Sequence, residues 1–387
     1  MSLSVNAESE ISTRIVGGTE AAKGDWPFMT ALIYKGQNAY SGQFCGASFI
    51  GGRYVLTAAH CVDHHSADTL DVLIGIHDLT NESSEGERVG VQAIYMHDGY
   101  NLQTVANDIA VIELEKEVTA ATIPLATKSQ VDALTTSNNL TVIGWGNLSS
   151  TSYSYPSILN QVDVPYVERS TCQNLGGIYN FVTDDNICAG FPEGGKDSCS
   201  GDSGGPLIYS DNGTDRQVGI VSWGNGCAQR NAYGVYTNVG YFNDDNSNNT
   251  NWISNHTNGV SYTQHIYLTS TTDQASITLP IRNYSPTPFN ITNITLPAGV
   301  TMTQNTCITT LAKDDSCTLL VQVNFAGVTK ATTTVSVTTD HPVSNQLAMK
   351  IVFPSTNQEI SSGSSGGASL GLGLLALFGL RLRRNRG

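Results

Sequence analysis

Three short segments hold side chains that could together break an amide bond. Gly201-Asp202-Ser203-Gly204-Gly205-Pro206 sets a serine among glycines, Thr57-Ala58-Ala59-His60-Cys61 supplies a histidine upstream, and Asn107-Asp108-Ile109-Ala110-Val111 places an aspartate between them. A serine hydroxyl is a weak nucleophile until a base takes its proton. His60 can do so and later protonate the leaving amine, while Asp108 holds the ring in one tautomer and stabilises the imidazolium. Glycines around Ser203 permit a tight turn that aims the amides of Gly201 and Ser203 at the developing oxyanion, such a donor being worth about 3 kcal/mol in the transition state. Taken singly, these residues read as a serine in a glycine turn, a core histidine and an aspartate at a strand end. Their joint occurrence points to acyl transfer.

The elements that must position these groups read as strands. From Ile15 to about His256, short β-rich runs such as Asp71-Val72-Leu73-Ile74, Ala110-Val111-Ile112-Glu113-Leu114 and Val218-Gly219-Ile220-Val221 are separated by Gly, Asn and Ser turns, the pattern of a sandwich or barrel. A short helix is expected around Asn251-Trp252-Ile253, after a polar loop at 243–251. A second β-rich stretch begins near Tyr262, with His265-Ile266-Tyr267-Leu268, Ser276-Ile277-Thr278-Leu279, Phe289-Asn290-Ile291, Cys317 to Val323 and Met349 to Phe353 alternating like half-buried strands. Its length of about 90 residues and lack of helix predict an immunoglobulin-like sandwich. Cys307 and Cys317 are close enough in sequence to pair locally, a loop closure worth a few kcal/mol at most. This stretch also resembles the choice-of-anchor type of β-sandwich.

The chain has 387 residues, 13% of them charged, a formal net charge of −14 and eight cysteines. That length suits two or three domains. The acidic balance argues against nucleic acid or anionic membrane as partners, and the even cysteine count suits an oxidising compartment. No cysteine or histidine spacing resembles a zinc site. Residues 1–14 contain no apolar leader, so secretion is inferred from the cysteines. At the other end, a Ser/Gly-rich stretch at 361–369 is followed by an apolar run from Leu370 to Leu380 and by Arg381, Arg383, Arg384 and Arg386. The run is shorter than the roughly 20 residues that span a bilayer.

The order His, Asp, Ser, with the motifs above, resembles the trypsin-like, chymotrypsin-fold serine proteases over residues 15–257. The resemblance implies an all-β fold of two six-stranded β-barrels with the active site between them, followed here by the sandwich at 262–355. It makes residues 1–14 an activation segment. Arg14-Ile15 matches the family's activation bond and Ile15-Val16-Gly17-Gly18 its mature N-terminus. The freed Ile15 ammonium would pair with Asp202 and order the oxyanion hole and pocket. No cysteine precedes Ile15, so the released segment is not tethered. The family pattern also implies disulfides Cys45–Cys61, Cys172–Cys188 and Cys199–Cys227. Asp197, six residues before Ser203, falls at the floor of the primary pocket, with Gly224 and Gly234 keeping it open and Ser198 beside it. A buried carboxylate facing an open slot favours a long cation, so cleavage after Arg and Lys is expected, and Arg14 itself fits. Trp223 would wall the next subsite, the backbone of Ser222 to Gly224 would pair with substrate as an added strand, and Ser222 would bond Asp108.

No cofactor or metal is required by this chemistry. Tyr233 resembles the residue of sodium-responsive relatives. The loop from Gly75 to Glu87 carries Asp78, Glu82, Glu85 and Glu87 where some trypsins bind calcium, but Ile76 stands near an expected ligand position. His64-His65 with Asp63 and Asp68 reads as an exposed loop rather than a metal site. Asn139, Asn212 and Asn293 head glycosylation triplets that matter only in a glycosylating host. Gly366-Gly367, the apolar run and the arginine end resemble the GlyGly-type C-terminal sorting signal of Gram-negative bacteria, whereas GPI signals end apolar. Residues 356–387 are therefore expected to be a processed surface-sorting tail, with a sorting protease and the membrane as partners. The whole arrangement resembles the secreted Ves proteases of Vibrio, exported by the type II pathway. The expected function is a secreted zymogen whose partners are proteins with exposed Arg or Lys sites. The competing reading is a surface adhesion protein that uses the protease fold or the sandwich for docking.

Overall fold

The computed structural model describes residues 16–149, 152–211, 213–243, 251–268, 274–324 and 331–353. The Arg14-Ile15 bond, Asn212 and the C-terminal tail lie outside the described residues.

Side-chain alternation dictates how the strands are used. In Glu87–Met96, Val89, Val91, Ala93 and Tyr95 are buried while the residues between them are half-exposed, whereas every residue of Ala110–Leu114 is buried. The first pattern fits a strand with one wet face, the second a strand covered on both. Six strands, Met29–Tyr34, Gln43–Gly51, Tyr54–Thr57, Leu70–Ile74, Glu87–Met96 and Ala110–Leu114, close into a barrel. Six more, Asn139–Gly144, Asn160–Val167, Asn186–Ala189, Pro206–Asp211, Thr214–Trp223 and Gly234–Asn238, close into a second, with the two-residue strand Thr19–Glu20 added at Asn160–Val167. In each barrel the hydrogen-bonded order is first, second, third, sixth, fifth, fourth, and the fourth returns to the first. Closure leaves no barrel strand with an unpaired edge. The α-helices are single turns of four or five residues, among them Trp252–Asn255 where the sequence predicts one.

Beyond residue 260 lie two four-stranded sheets. One runs Val260–Tyr262, Gln274–Asn283, Ser316–Asn324, Val300–Asn305; the other His265–Tyr267, Gln346–Val352, Thr332–Thr339, Ile291–Thr295. His265–Tyr267 pairs in parallel with Gln346–Val352, and the other pairings are antiparallel. Leu279, Ile281, Leu319 and Val321 from one sheet and Val335, Val337, Met349 and Ile351 from the other share one apolar cluster. The strand expected at Phe289-Asn290-Ile291 begins only at Ile291. Phe289 instead exchanges both backbone hydrogen bonds with Leu311, which draws its ring inward against His341. The same cluster includes Tyr95 and Tyr262, so it runs without a break into the first barrel, and the described residues form one compact unit.

Candidate active site

His60 sits on the single helical turn Ala59–Val62, which follows the strand Tyr54–Thr57. Asp108 lies two residues before the strand Ala110–Leu114, which pairs with Tyr54–Thr57. Neighbouring strands thus deliver both groups to one end of the first barrel. Asp108 is fully buried. Its Oδ2 lies 2.7 Å from His60 Nδ1 and accepts from Ser222 Oγ at 2.5 Å, and Oδ1 accepts from the His60 backbone N–H at 2.9 Å. Burial works to raise the Asp108 pKa, but the His60 charge and these hydrogen bonds outweigh it and hold the carboxyl below its usual range. Burial likewise opposes charge on His60, yet Asp108 raises the imidazole above its ordinary value. The arrangement orients the ring and favours its protonated form, as a proton-transfer histidine requires.

Ser203 is brought to this place from the second barrel. Its carbonyl accepts from Gly46 N–H at 2.8 Å, and Cys45, next to Gly46, is disulfide-bonded to Cys61, next to His60. No hydrogen bond joins Ser203 Oγ to His60 among the described residues. Serine–histidine contacts in such free sites are often long and tighten with substrate. Gly201 has φ +106°, open to glycine alone in practice, and its carbonyl is turned away to accept from Gln43 Nε2 at 3.1 Å. The backbone N–H groups of Gly201 and Ser203 donate to no acceptor among the described residues, so both are available to an incoming oxyanion.

Asp202 is fully buried and accepts from Gly146 N–H at 2.7 Å and Cys199 N–H at 2.9 Å. Among the described residues no cation pairs with it, and burial pushes its pKa up to about 6. Val16 lies nearby in the fold, its carbonyl accepting from Asp197 N–H at 3.2 Å.

Asp197 is 4% exposed. Its Oδ2 accepts from Ala228 N–H at 2.9 Å, while Oδ1 is buried and makes no hydrogen bond among the described residues. Burial pushes this carboxyl up to about 7. Gly234 leaves the space in front of it: a Cβ there would fall 3.0 Å from Asp197 Oδ1 and 2.8 Å from Tyr236 Oη. At Gly224 a Cβ would come no nearer than 3.3 Å to any atom. Ser198 Oγ lies 3.4 Å from Tyr236 Oη. Cys199–Cys227 closes the wall, and Cys172–Cys188 and Cys307–Cys317 are also bonded.

Several positioning residues escape sequence reasoning. Tyr179 Oη donates to the Tyr233 carbonyl and accepts from the Tyr233 N–H, both at 2.9 Å, and its ring lies 5.5 Å from that of Trp223. It therefore pins the segment before Gly234 from 54 residues away. Asp185 accepts from Asn107 N–H at 2.6 Å, securing a positive-φ residue just before Asp108. The acids of the 75–87 loop are taken up locally: Glu82 by Arg88 and Ala39 N–H, Glu85 by Lys23 and Asp78 N–H, Asp78 by Thr80 and Asn81. His65 stacks on Phe44. Cys45, His60 and Cys61 form a close cluster, but the two sulfurs are bonded to each other and offer no thiolate to a metal.

Two closed barrels contributing histidine, aspartate and serine to one site define a serine endopeptidase of the chymotrypsin fold. The trypsin family profile matches residues 15–245, and the chain belongs to that family. It is 39% identical over 239 residues to trypsin-1 of Astacus astacus, covering 59% of this chain and 97% of that protein. Among solved structures it is similar to the VesB protease of Vibrio cholerae (TM-score 0.72, 35% identity, 88% of this chain and 99% of that one). It is also similar to the secreted serine protease VesC of the same organism (TM-score 0.71, 31% identity, 87% of this chain and 71% of that one). Residues 15–245 cannot alone supply such coverage, so these likenesses extend into the two sheets beyond residue 260.

Proposed function

We propose that this chain is a secreted zymogen, activated by cleavage of Arg14-Ile15, that hydrolyses peptide bonds after Arg and Lys through an acyl-enzyme on Ser203. The observation that carries the specificity is Asp197, buried, with one carboxylate oxygen that makes no hydrogen bond among the described residues and that faces Gly234, where there is no side chain. An apolar side chain would leave that carboxylate unpaired or force it to take a proton. A guanidinium or ammonium satisfies it.

With substrate seated, His60 Nε2 takes the Ser203 Oγ proton as Oγ bonds to the carbonyl carbon, and the carbonyl π electrons move onto oxygen. The Gly201 and Ser203 N–H groups receive that oxyanion. The imidazolium, steadied by Asp108 at 2.7 Å, returns the proton to the departing amine, leaving the acyl-enzyme. Water repeats the sequence and regenerates Ser203. Among the described residues Asp202 is a buried carboxyl without a cation, and the ammonium freed at Ile15, next to Val16, is the group that suits it.

We read residues 262–355 as an immunoglobulin-like sandwich, supported by its two packed four-stranded sheets. Export to the cell exterior is supported by the four disulfides and by the likeness to VesC, a secreted serine protease. The surface-sorting role of 356–387 rests on its sequence.

The activation scheme is tested by treating the purified chain with a trace of trypsin, reading the new N-terminus and assaying an Arg peptide. The scheme requires an Ile15 terminus and activity that rises with it and vanishes in Ser203→Ala. Full activity with Arg14-Ile15 intact would refute it.

A further inference from the structure

We propose that Tyr267 and Gln264, in the segment that opens the pair of four-stranded sheets, are positioning residues for the loops carrying His60 and Asp108. The catalytic machinery would then extend beyond the protease barrels. This rests on the assignment of His60 and Asp108 above.

Consider first the histidine loop. The helical turn bearing His60 ends at Val62, and two residues later His64 takes φ +63°, a conformation disfavoured for a side chain with a Cβ. Such a turn persists only where its surroundings hold it. Here the His64 N–H donates to Tyr267 Oη at 3.2 Å, and the two rings lie 5.5 Å apart. A small cavity lined by Val62, His65, Met96, Gln264, His265 and Tyr267 lies beneath the loop. On this side the hydrogen bond and the ring contact from Tyr267 hold the loop, in addition to the stacking of His65 on Phe44.

The aspartate loop is gripped in the same way. It leaves the barrel at Met96, the last residue of its strand, and returns at Ala110, two residues after Asp108. Gln264, 2% exposed, spans both backbone groups of Met96: Oε1 accepts from its N–H at 2.6 Å and Nε2 donates to its carbonyl at 3.0 Å. A side-chain amide thus acts as one rung of an added strand. Lys350 reaches Asp98, two residues further along this loop, at 2.6 Å. Both loops that carry the His60–Asp108 pair are therefore tied to one short segment, Gln264 to Tyr267. A displacement of about 1 Å between reacting groups can cost 10²-fold in rate.

The test compares the activated full-length protein with Tyr267→Phe, which keeps the ring and removes the acceptor, and with Gln264→Ala. Tyr284→Leu serves as a junction control. It removes the Arg53–Tyr284 contact (3.5 Å) at the opposite end of Tyr54–Thr57 from His60. Rates on an Arg peptide are divided by the concentration of sites titrated with a serine-directed phosphonate, so unfolded molecules do not count. The proposal predicts that kcat per site falls at least threefold in Tyr267→Phe and further in Gln264→Ala, with KM within twofold of the parent, and that Tyr284→Leu changes neither. If Tyr267→Phe keeps the parent kcat per site, the proposal is overturned, even if its Tm drops. His60→Ala separates the two levels of argument. Its full activity would sink the site assignment itself, whereas an inert His60→Ala beside an unimpaired Tyr267→Phe would sink only the positioning role.

Discussion

At the residue scale, the pocket aspartate makes the sharpest predictions. The Asp197 carboxyl is pushed up to about 7 by burial, from 3.8 when exposed. In the empty pocket it therefore holds a proton below neutrality and loses it as pH rises, while a bound cation favours the ionised form. Benzamidinium should bind more tightly as pH increases through about 7, and calorimetry at pH 6 should show proton release on binding that is absent at pH 8. Asp197→Ser should lower kcat/KM for Arg and Lys peptides by roughly 10³-fold or more, because the cation then meets no counter-charge. Gly234→Ala should raise KM for the same peptides, since the added methyl would stand 3.0 Å from Asp197 Oδ1. On the acid side, activity should fall as His60 takes up a proton, with the fall centred above the ordinary imidazole value. Ser203, His60, Asp108 and Asp197 were legible in the sequence because their neighbours form local patterns. Tyr179 and Asp185 were not, since each acts on a backbone group distant in sequence with no motif to mark the pairing.

At the element scale, the turn holding Asp202 is the candidate switch. Its folded pKa of about 6 lies above its exposed value of 3.8. Without a cation, the protonated form is the one the fold favours, so that stability is present at low pH and is lost as pH rises from about 4 through 6. A paired ammonium reverses the preference. The Ile15-terminated protein should therefore gain Tm over the uncut chain, more at pH 7.5 than at pH 5, as read by calorimetry on Ser203→Ala forms. Asp202→Asn should abolish that gain and most of the activity. The strands themselves were readable from β-rich runs between turn residues. Their closure into two barrels came from the family resemblance, and the strand order only from the structure, because pairings such as Leu70–Ile74 with Met29–Tyr34 leave no mark in either strand. Phe289 shows the limit of alternation: its backbone pairs with Leu311 in an isolated bridge outside any strand.

At the scale of the whole molecule, the junction between barrels and sandwich is built like an interior. Glu113, 1% exposed, accepts from Tyr95 Oη at 2.9 Å, and the same hydroxyl accepts from Tyr262 N–H at 3.1 Å. Burial holds the Glu113 carboxyl above its usual value. Stripping away the two four-stranded sheets would leave these groups and the apolar cluster around them half-dressed. The full chain should accordingly melt in one calorimetric transition, and residues 15–257 expressed alone should be unstable; two separate transitions would contradict this. Sequence reading treated the sandwich as a separate module, since nothing local to Gln264 reveals that its partner is Met96, 168 residues away. The central claim, an Arg- and Lys-directed serine endopeptidase, is met most directly by one measurement. Activated protein and its Ser203→Ala variant are given matched peptides with Arg, Lys, Phe or Ala before the scissile bond, and kcat/KM is determined for each. The account predicts cleavage after Arg and Lys at least 10³-fold faster than after Phe or Ala, all of it lost in Ser203→Ala; comparable rates on Phe, or cleavage that survives without the Ser203 hydroxyl, would contradict it.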